Sequence, residues 1–169
     1  LFRDIYDAGK DNRYPLIAEY QKVTNTNYLM KKWYTTFDAV YTTSVTSDFP
    51  HIRFADVVLM MAEALGQQGK IEDALPHINK IRTRAGLDAL KLSDVPTKDA
   101  FIRALADERG REFALEGQRW YDLVRLGLAV EYFSSLGNTV DNHNLLFPIP
   151  STEIEIVADK SILWQNPGF

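Results

Sequence analysis

The chain has 169 residues, 46% of them apolar and 25% charged, with a net charge of −4 and no Cys. That is enough for one domain with a real core, burying about 70% of its unfolded surface. The acidic balance argues against nucleic acid as the main partner, which needs clustered Lys and Arg; the missing Cys excludes disulfides, thiolate metal sites and a Cys nucleophile without fixing the compartment.

Residues 1–50 read as an irregular, loop-rich segment. After Leu1 there is no charged n-region and no apolar run of the kind a secretory signal needs. Leu1 to Tyr14 is polar-aromatic with no helix start, so the chain is expected to lack an N-terminal part. Asp4, Asp7, Asp11 and Asn12 are rich in oxygen but miss the spacing and terminal Glu of a calcium loop. Pro15, Pro50, the cluster Thr24-Asn25-Thr26-Asn27 and the run Thr42 to Ser47 are turn chemistry. Between them, Tyr28 to Tyr34 reads as a short strand or extended segment. Trp33, Tyr34, Phe37 and Tyr41 are the residues most open to a binding role. Aromatic faces stack on the apolar C–H face of a sugar and give large contact energies. The plain alternative is that they cover the helical core. Trp33, Tyr34 and Tyr41 are the ligand-binding candidates.

From Arg53 the texture changes. Phe54, Val57, Val58, Met61, Ala62 and Leu65 recur at three- and four-residue steps, which predicts a helix over 53–68. Gly66 and Gly69 are expected to end it, because Gly tolerates the left-handed turn of a helix stop. A second helix is predicted over 71–85, with Ala74, Ile78 and Ile81 as its inner stripe. Pro76 falls near its first turn, where it can shift the start by a residue or two. Gly86 stops it. The longest apolar run, Val57 to Ala62, is far short of a membrane span of about 20 residues. The two helices match the tetratricopeptide template, a helix hairpin of about 34 residues, with Ala62 and Ala74 as the small contacts. The match is partial. Val58 stands where the template has Trp, and one copy is present where a stable stack takes about three.

A third helix is predicted over 98–116, with Thr97 as N-cap and Asp99 facing the positive end of the helix dipole. Phe101, Ile102, Leu105, Arg109 and Phe113 lie along it. Shorter helices follow over 119–126 and 128–136. Gly137 to Asn144 is a polar loop. Phe147 to Pro150 must be extended, because each Pro keeps its predecessor out of the helical region. Ser151 to Ile154 opens a short helical turn, and Trp164 reads as the anchor of a docked tail.

The run Glu108 to Arg125 interleaves both signs of charge with large apolar residues, which points to charges held in pairs at the edge of a core. Glu108, Glu112 and Glu116 are spaced by four and share one helix stripe. Two carboxylates can act as the acid and base of a glycosidase. Like charges at that spacing repel, however, and Arg109, Arg111, Arg119 and Arg125 bracket them. Pairing is simpler, since the guanidinium fork matches a carboxylate. The trio is therefore read as structural, and no residue is assigned as catalytic. Trp120 and Tyr121 are expected in the core. His51, His77 and His143 sit in unrelated segments with no partner at ligand spacing, so no metal or cofactor is assigned.

Four blocks in this order carry a resemblance. They are Arg53-Phe54-Ala55-Asp56-Val57-Val58-Leu59-Met60-Met61-Ala62-Glu63-Ala64, then Ile78-Asn79-Lys80-Ile81-Arg82-Thr83-Arg84-Ala85-Gly86-Leu87, then Glu108 to Arg119, then Leu146-Phe147-Pro148-Ile149-Pro150 running on to Gln165-Asn166-Pro167-Gly168-Phe169. Together they resemble the C-terminal part of the SusD/RagB family of outer-membrane nutrient-binding lipoproteins, over Asp48 to Phe169. Gly110 departs from the family pattern, which has a second Arg or a Lys there. A Gly inside a helix costs about 1 kcal/mol relative to Ala, so that turn is expected to be loosened.

The resemblance and the spacing agree on an all-α, irregular helical fold with one tetratricopeptide-like hairpin and extended loops. A helical core and docked tail would occupy 51–169. The resemblance implies a cell-surface protein of the Bacteroidota that captures an oligosaccharide or other nutrient for a SusC-like TonB-dependent transporter. It implies a binding protein and not an enzyme, held to the outer membrane by an N-terminal lipid anchor that this chain does not contain. The family's ligand contacts lie mainly in loops upstream of the matched blocks. Two other readings stand beside it. One is a tetratricopeptide-type protein-interaction module with a peptide in its concave groove. The other is a helical glycosidase, disfavoured because no acid/base pair stands free of an Arg.

Overall fold

The computed structural model describes residues 5–7, 9–17, 21–22, 28–29, 32, 50–157, 159 and 161–169. The chain divides into two compact units, Leu1–Arg119 and Trp120–Phe169. In the first, α1 (Tyr14–Ile17) is a single turn, and β1 (Gln21–Lys22) pairs antiparallel with β2 (Tyr28–Leu29). The remaining regular structure among the described residues is helical: α2 (Phe54–Gln67), α3 (Ile71–Arg84), α4 (Lys98–Glu112), α5 (Arg119–Arg125), α6 (Ala129–Ser135) and α7 (Ser151–Ile156), with a 3-10 turn at Asn142–Leu145. Apart from that two-residue ladder, the regular structure of the described residues is helical, as the apolar spacing predicts.

The face that α2 buries keeps Val58 and Ala62 of the predicted stripe but is shifted from the rest of it. Ala55, Val58, Leu59, Ala62 and Gly66 are buried, whereas Phe54, Val57 and Met61 are exposed. The reason is packing on two neighbours: α2 lies against both α3 and α4, and α3 also touches α4. Gly66 is inside the helix and does not stop it; Gly69, at φ 78°, follows the helix end. Gly66 serves close approach. A Cβ there would stand 2.5 Å from Cδ1 of Phe101, whose ring is fully buried.

α3 starts at Ile71 despite Pro76, which lies in its second turn. The proline removes one backbone donor, and the helix runs through. Glu72 and Asp73 in its first turn and Arg82 and Arg84 in its last oppose the helix dipole favourably. Past Ala85 the chain turns at Gly86, φ 82°. Here the N-terminal segment comes close: Asn12 N–H donates to the Ala85 carbonyl (2.8 Å), and a Cβ on Gly86 would lie 2.8 Å from the Lys10 carbonyl oxygen. That contact seats the neighbouring Arg13 against the helices.

α4 is capped by Thr97, whose hydroxyl accepts from Ala100 N–H (3.2 Å). Its inner side buries Phe101, Ile102, Leu105 and Ala106, then Glu108, Arg109 and Glu112. The helix ends at Glu112 and not at 116. Leu115 at φ 68° and Gly117 at φ 76° turn the chain instead. Gly110 does not loosen the helix. A Cβ there would be 2.7 Å from Nη1 of Arg119, so the bare backbone makes room for that guanidinium, which reaches the Ala106 carbonyl.

In the second unit, Trp120 of α5 lies tilted on Phe133 of α6 with ring centroids 5.5 Å apart. Leu123 and Ala129 are buried, while Tyr121 faces solvent, contrary to the core expectation. The tail docks through amides and not through Trp164, which is exposed. Gln165 accepts from Ile149 N–H on Oε1 (2.8 Å) and donates Nε2 to the Ile149 carbonyl (2.9 Å). Asn166 donates Nδ2 to the Phe147 carbonyl (2.7 Å).

Gly66→Ala is expected to destabilise the chain by about 1–3 kcal/mol through overpacking. That sign opposes the gain of about 1 kcal/mol that Ala brings to an open helix site. Urea unfolding measures it; an unchanged or raised midpoint would show that the Phe101 ring moves aside.

Candidate functional site

The site grows from the C-terminal end of α4. Glu108 and Glu112 lie one turn apart on its buried side, and Glu116 follows after the turn at Leu115. The three do not share one continuous helix stripe, as the spacing suggested, yet they converge on one cluster. A left-handed backbone costs a bulky residue about 1–2 kcal/mol; at Leu115 it swings Glu116 back toward the cations.

Each carboxylate is held by cations from distant segments. Arg13 donates Nη1 to Glu108 (2.8 Å) and Glu112 (3.0 Å), and Nε and Nη2 to Asp11 (2.9 and 2.7 Å). Arg53, just before α2, donates Nη1 to Glu112 (2.7 Å) and Nε and Nη2 to Glu116 (3.0 and 2.8 Å). At the end of α3, Arg82 reaches Glu108 (3.1 Å) and Arg84 reaches Glu112. Arg111 is the third cation on Glu108 (3.0 Å). Lys32 donates to Glu116 (2.6 Å) and to the carbonyls of Glu112 and Ala114 (2.8 Å each). Arg53 and Arg109 lie over the Phe113 ring at 4.7 and 4.9 Å, a cation–π arrangement from two sides of the sequence.

The expectation of Glu–Arg pairing holds, but the partners differ from those the sequence suggested. Of the four bracketing arginines, Arg111 joins the cluster. Arg109 bonds Asp56 (2.7 Å), Arg119 pairs with Asp107 (3.4 Å) and Arg125 with Asp122 (2.8 Å). Asp11 is committed to Arg13. His143 lies against Asp141 and sets its ring edge-on to Phe169 at 5.6 Å, partners that the sequence did not suggest.

The electrostatics follow from burial and pairing. Burial pushes the Glu112 carboxyl up, but the bonds from Arg84 and Arg53 outweigh it and hold the group below the usual carboxylate range. Arg53 and Arg13 are raised: burial opposes their charge, and the carboxylates on them prevail. For Lys32 the balance reverses. Burial pulls its ammonium below the ordinary lysine range in spite of Glu116.

Beside this cluster is a cavity of about 370 Å³. Arg13, Lys32, Arg53, Arg84 and Glu112 line it, with Leu16, Ile17 and Ala85 as an apolar wall. Such a volume falls in the range of small-molecule pockets, about 300–1,000 Å³. Arg53 and Arg84 stand within the motifs visible in the sequence, but Arg13 and Lys32 sit in irregular chain with no periodic signal. The binding candidates Trp33, Tyr34 and Tyr41 lie outside the described residues.

The model of the SusD family matches residues 11–169. The starch-binding protein SusD of Bacteroides thetaiotaomicron is 34% identical over 131 residues, which is 73% of this chain and 22% of that protein. Among solved structures, a SusD superfamily protein from Bacteroides thetaiotaomicron superposes with a TM-score of 0.64 at 26% identity, covering 97% of this chain and 36% of that one. A laminarin-binding SusD-like protein is similar at 34% identity and a TM-score of 0.58, over 85% of this chain and 29% of its own. The matched stretches span 20–26% of the length of the curated relatives. Matched from residue 11 to its end and similar in fold, the chain belongs to the SusD family.

Proposed function

We propose that the chain is the C-terminal part of a glycan-binding protein. It would capture an oligosaccharide or other nutrient at the cell surface and deliver it to a SusC-like TonB-dependent transporter in the outer membrane. A lipid anchor upstream of these residues would hold it there. The observation that carries this reading is the family match over residues 11–169, together with relatives described as starch-binding and laminarin-binding. In this view residues 1–50 form the loop-rich segment and 51–169 the supporting helical body.

The chemistry of the cluster supports a binding protein over a hydrolase. A glycosidase needs one carboxylic acid to give up a proton and a second carboxylate to act on the sugar. Here Glu108, Glu112 and Glu116 each accept from at least two cationic side chains. Held this way they are committed to fixed cations, which supports a structural role.

Within the chain, the ligand is assigned to the aromatic segment of Trp33, Tyr34 and Tyr41, since binding residues favour loops on a rigid scaffold and the α2–α3 hairpin supplies one. Calorimetric titration of laminarin or starch oligosaccharides tests it. Trp33→Ala is expected to weaken binding about tenfold, equivalent to about 1.4 kcal/mol of lost stacking. Unchanged affinity would move the site away from Trp33.

The structural role of the carboxylates has its own test. Glu112→Ala leaves Arg13, Arg53 and Arg84 short of a buried partner and is expected to cost about 3–5 kcal/mol. No release of reducing sugar is expected from the parent chain. Because the Glu112 carboxyl is lowered on folding, its contribution is complete above its unfolded value of 4.5 and is lost as pH falls through the folded one. Thermal melts from pH 7 to pH 3 should show this loss in the parent and a smaller one in Glu112→Gln. Equal pH dependence in both would show that Glu112 titrates alike in the folded and unfolded chain.

A further inference from the structure

The charge cluster has an inside and an outside. Its carboxylates are almost wholly out of water: the side chains of Asp11 and Glu108 are 0% exposed, that of Glu116 1% and that of Glu112 2%. Its cations surround them toward solvent, with Arg53 at 25% and Arg84 at 55%. Among the described residues of the cluster, the six cations Arg13, Lys32, Arg53, Arg82, Arg84 and Arg111 meet four carboxylates. Of these, Arg13, Lys32, Arg53 and Arg84 line the cavity beside one carboxylate, Glu112, on a chain whose net charge is −4.

Three features of that cavity select a ligand. Arg84 spends Nη2 on Glu112, and its exposed fork can grip two oxygens of an incoming anion. Arg53 bonds the same Glu112 and lines the same cavity. Leu16, which is exposed, gives the cavity an apolar side that the C–H face of a sugar ring can reach, while Ile17 and Ala85 are buried. We propose that this cavity binds the anionic group of an acidic saccharide, a uronic-acid carboxylate or a sulfate ester, with Arg84 as the contacting cation. The proposal rests on the glycan-binding reading and adds the class of sugar and the cation that would hold it.

The experiment compares three pyranoses of similar size: glucose, glucuronate and glucose 6-sulfate. Each is titrated calorimetrically into the full chain in low salt and in 0.5 M NaCl, with a neutral laminarin oligosaccharide alongside. At least one acidic sugar is expected to bind tenfold or more tighter than glucose, and which one does so identifies the anionic group. The preference should shrink at high salt, since an exposed guanidinium is screened. Arg84→Gln should abolish it, and Arg84→Lys should keep most of it. The salt response of the parent chain stands even if a variant folds poorly. Equal affinity for the three sugars, or a preference intact in a folded Arg84→Gln, overturns the proposal. So does binding of acetate or sulfate ions as tight as that of the acidic sugars, which would mark a general anion site. Laminarin binding without acidic preference sinks this inference alone; no saccharide binding at all sinks the glycan reading with it.

Discussion

A carboxylate removed from water must be matched by positive charge or give up its own. Four of them lie together in the first unit of this chain. The desolvation of each charge is severe, so the cluster is stable only when several guanidinium groups arrive at once. That requirement shapes the surrounding structure. It calls Arg53 to the start of α2, Arg82 and Arg84 to the end of α3, and Arg13 to the loop tied down at Gly86. It also gives the turn at Leu115 a reason, because the strained backbone brings Glu116 into the same group. Hydrophobic burial packs the three helices; the charges decide where their ends meet.

The same logic separates binding from catalysis. A catalytic acid needs a proton affinity near the working pH, and neighbours that let it change state. The cations around Glu112 favour the charged form throughout. Arg84, more than half exposed, reaches the solvent side. The carboxylates of the cluster thus lie inside, and the cations that hold them lie toward solvent.

Much of the fold is readable from local pattern. The bounds of α2, α3, α5 and α6 fall within one residue of the apolar periodicity and its Gly stops. The end of α4 is not readable, because a leucine and not a glycine takes the left-handed position. Nor is the buried face of α2. Phe54, Val57 and Met61 have the right period, but α4 packs its Phe101 ring on Gly66, where there is no room for a side chain. For the site, glutamates spaced by four announced a paired cluster, and Arg53, Arg82 and Arg84 stood in motifs already visible. Arg13 and Lys32 gave no signal, since an irregular loop has no period and their partners lie far along the chain. Trp164 and Tyr121 misled because a large aromatic ring says only that burial is favourable, and at Trp164 the amides of Gln165 and Asn166 fasten the segment instead.

The span of those ion pairs bears on the order in which the chain assembles. Arg13 meets Glu108 and Glu112 across 95 and 99 residues, and Arg53 meets Glu116 across 63. Closing loops of that length costs entropy before any contact compensates for it, whereas the α2–α3 hairpin closes over a few residues. The hairpin is therefore the early structure, and the ionic cluster is the late one. Until it closes, the carboxylates stay hydrated and the segment carrying Arg13 is untethered. Substitutions of the far-reaching arginines should accordingly show themselves in how fast the folded chain comes apart, more than in how fast it first forms.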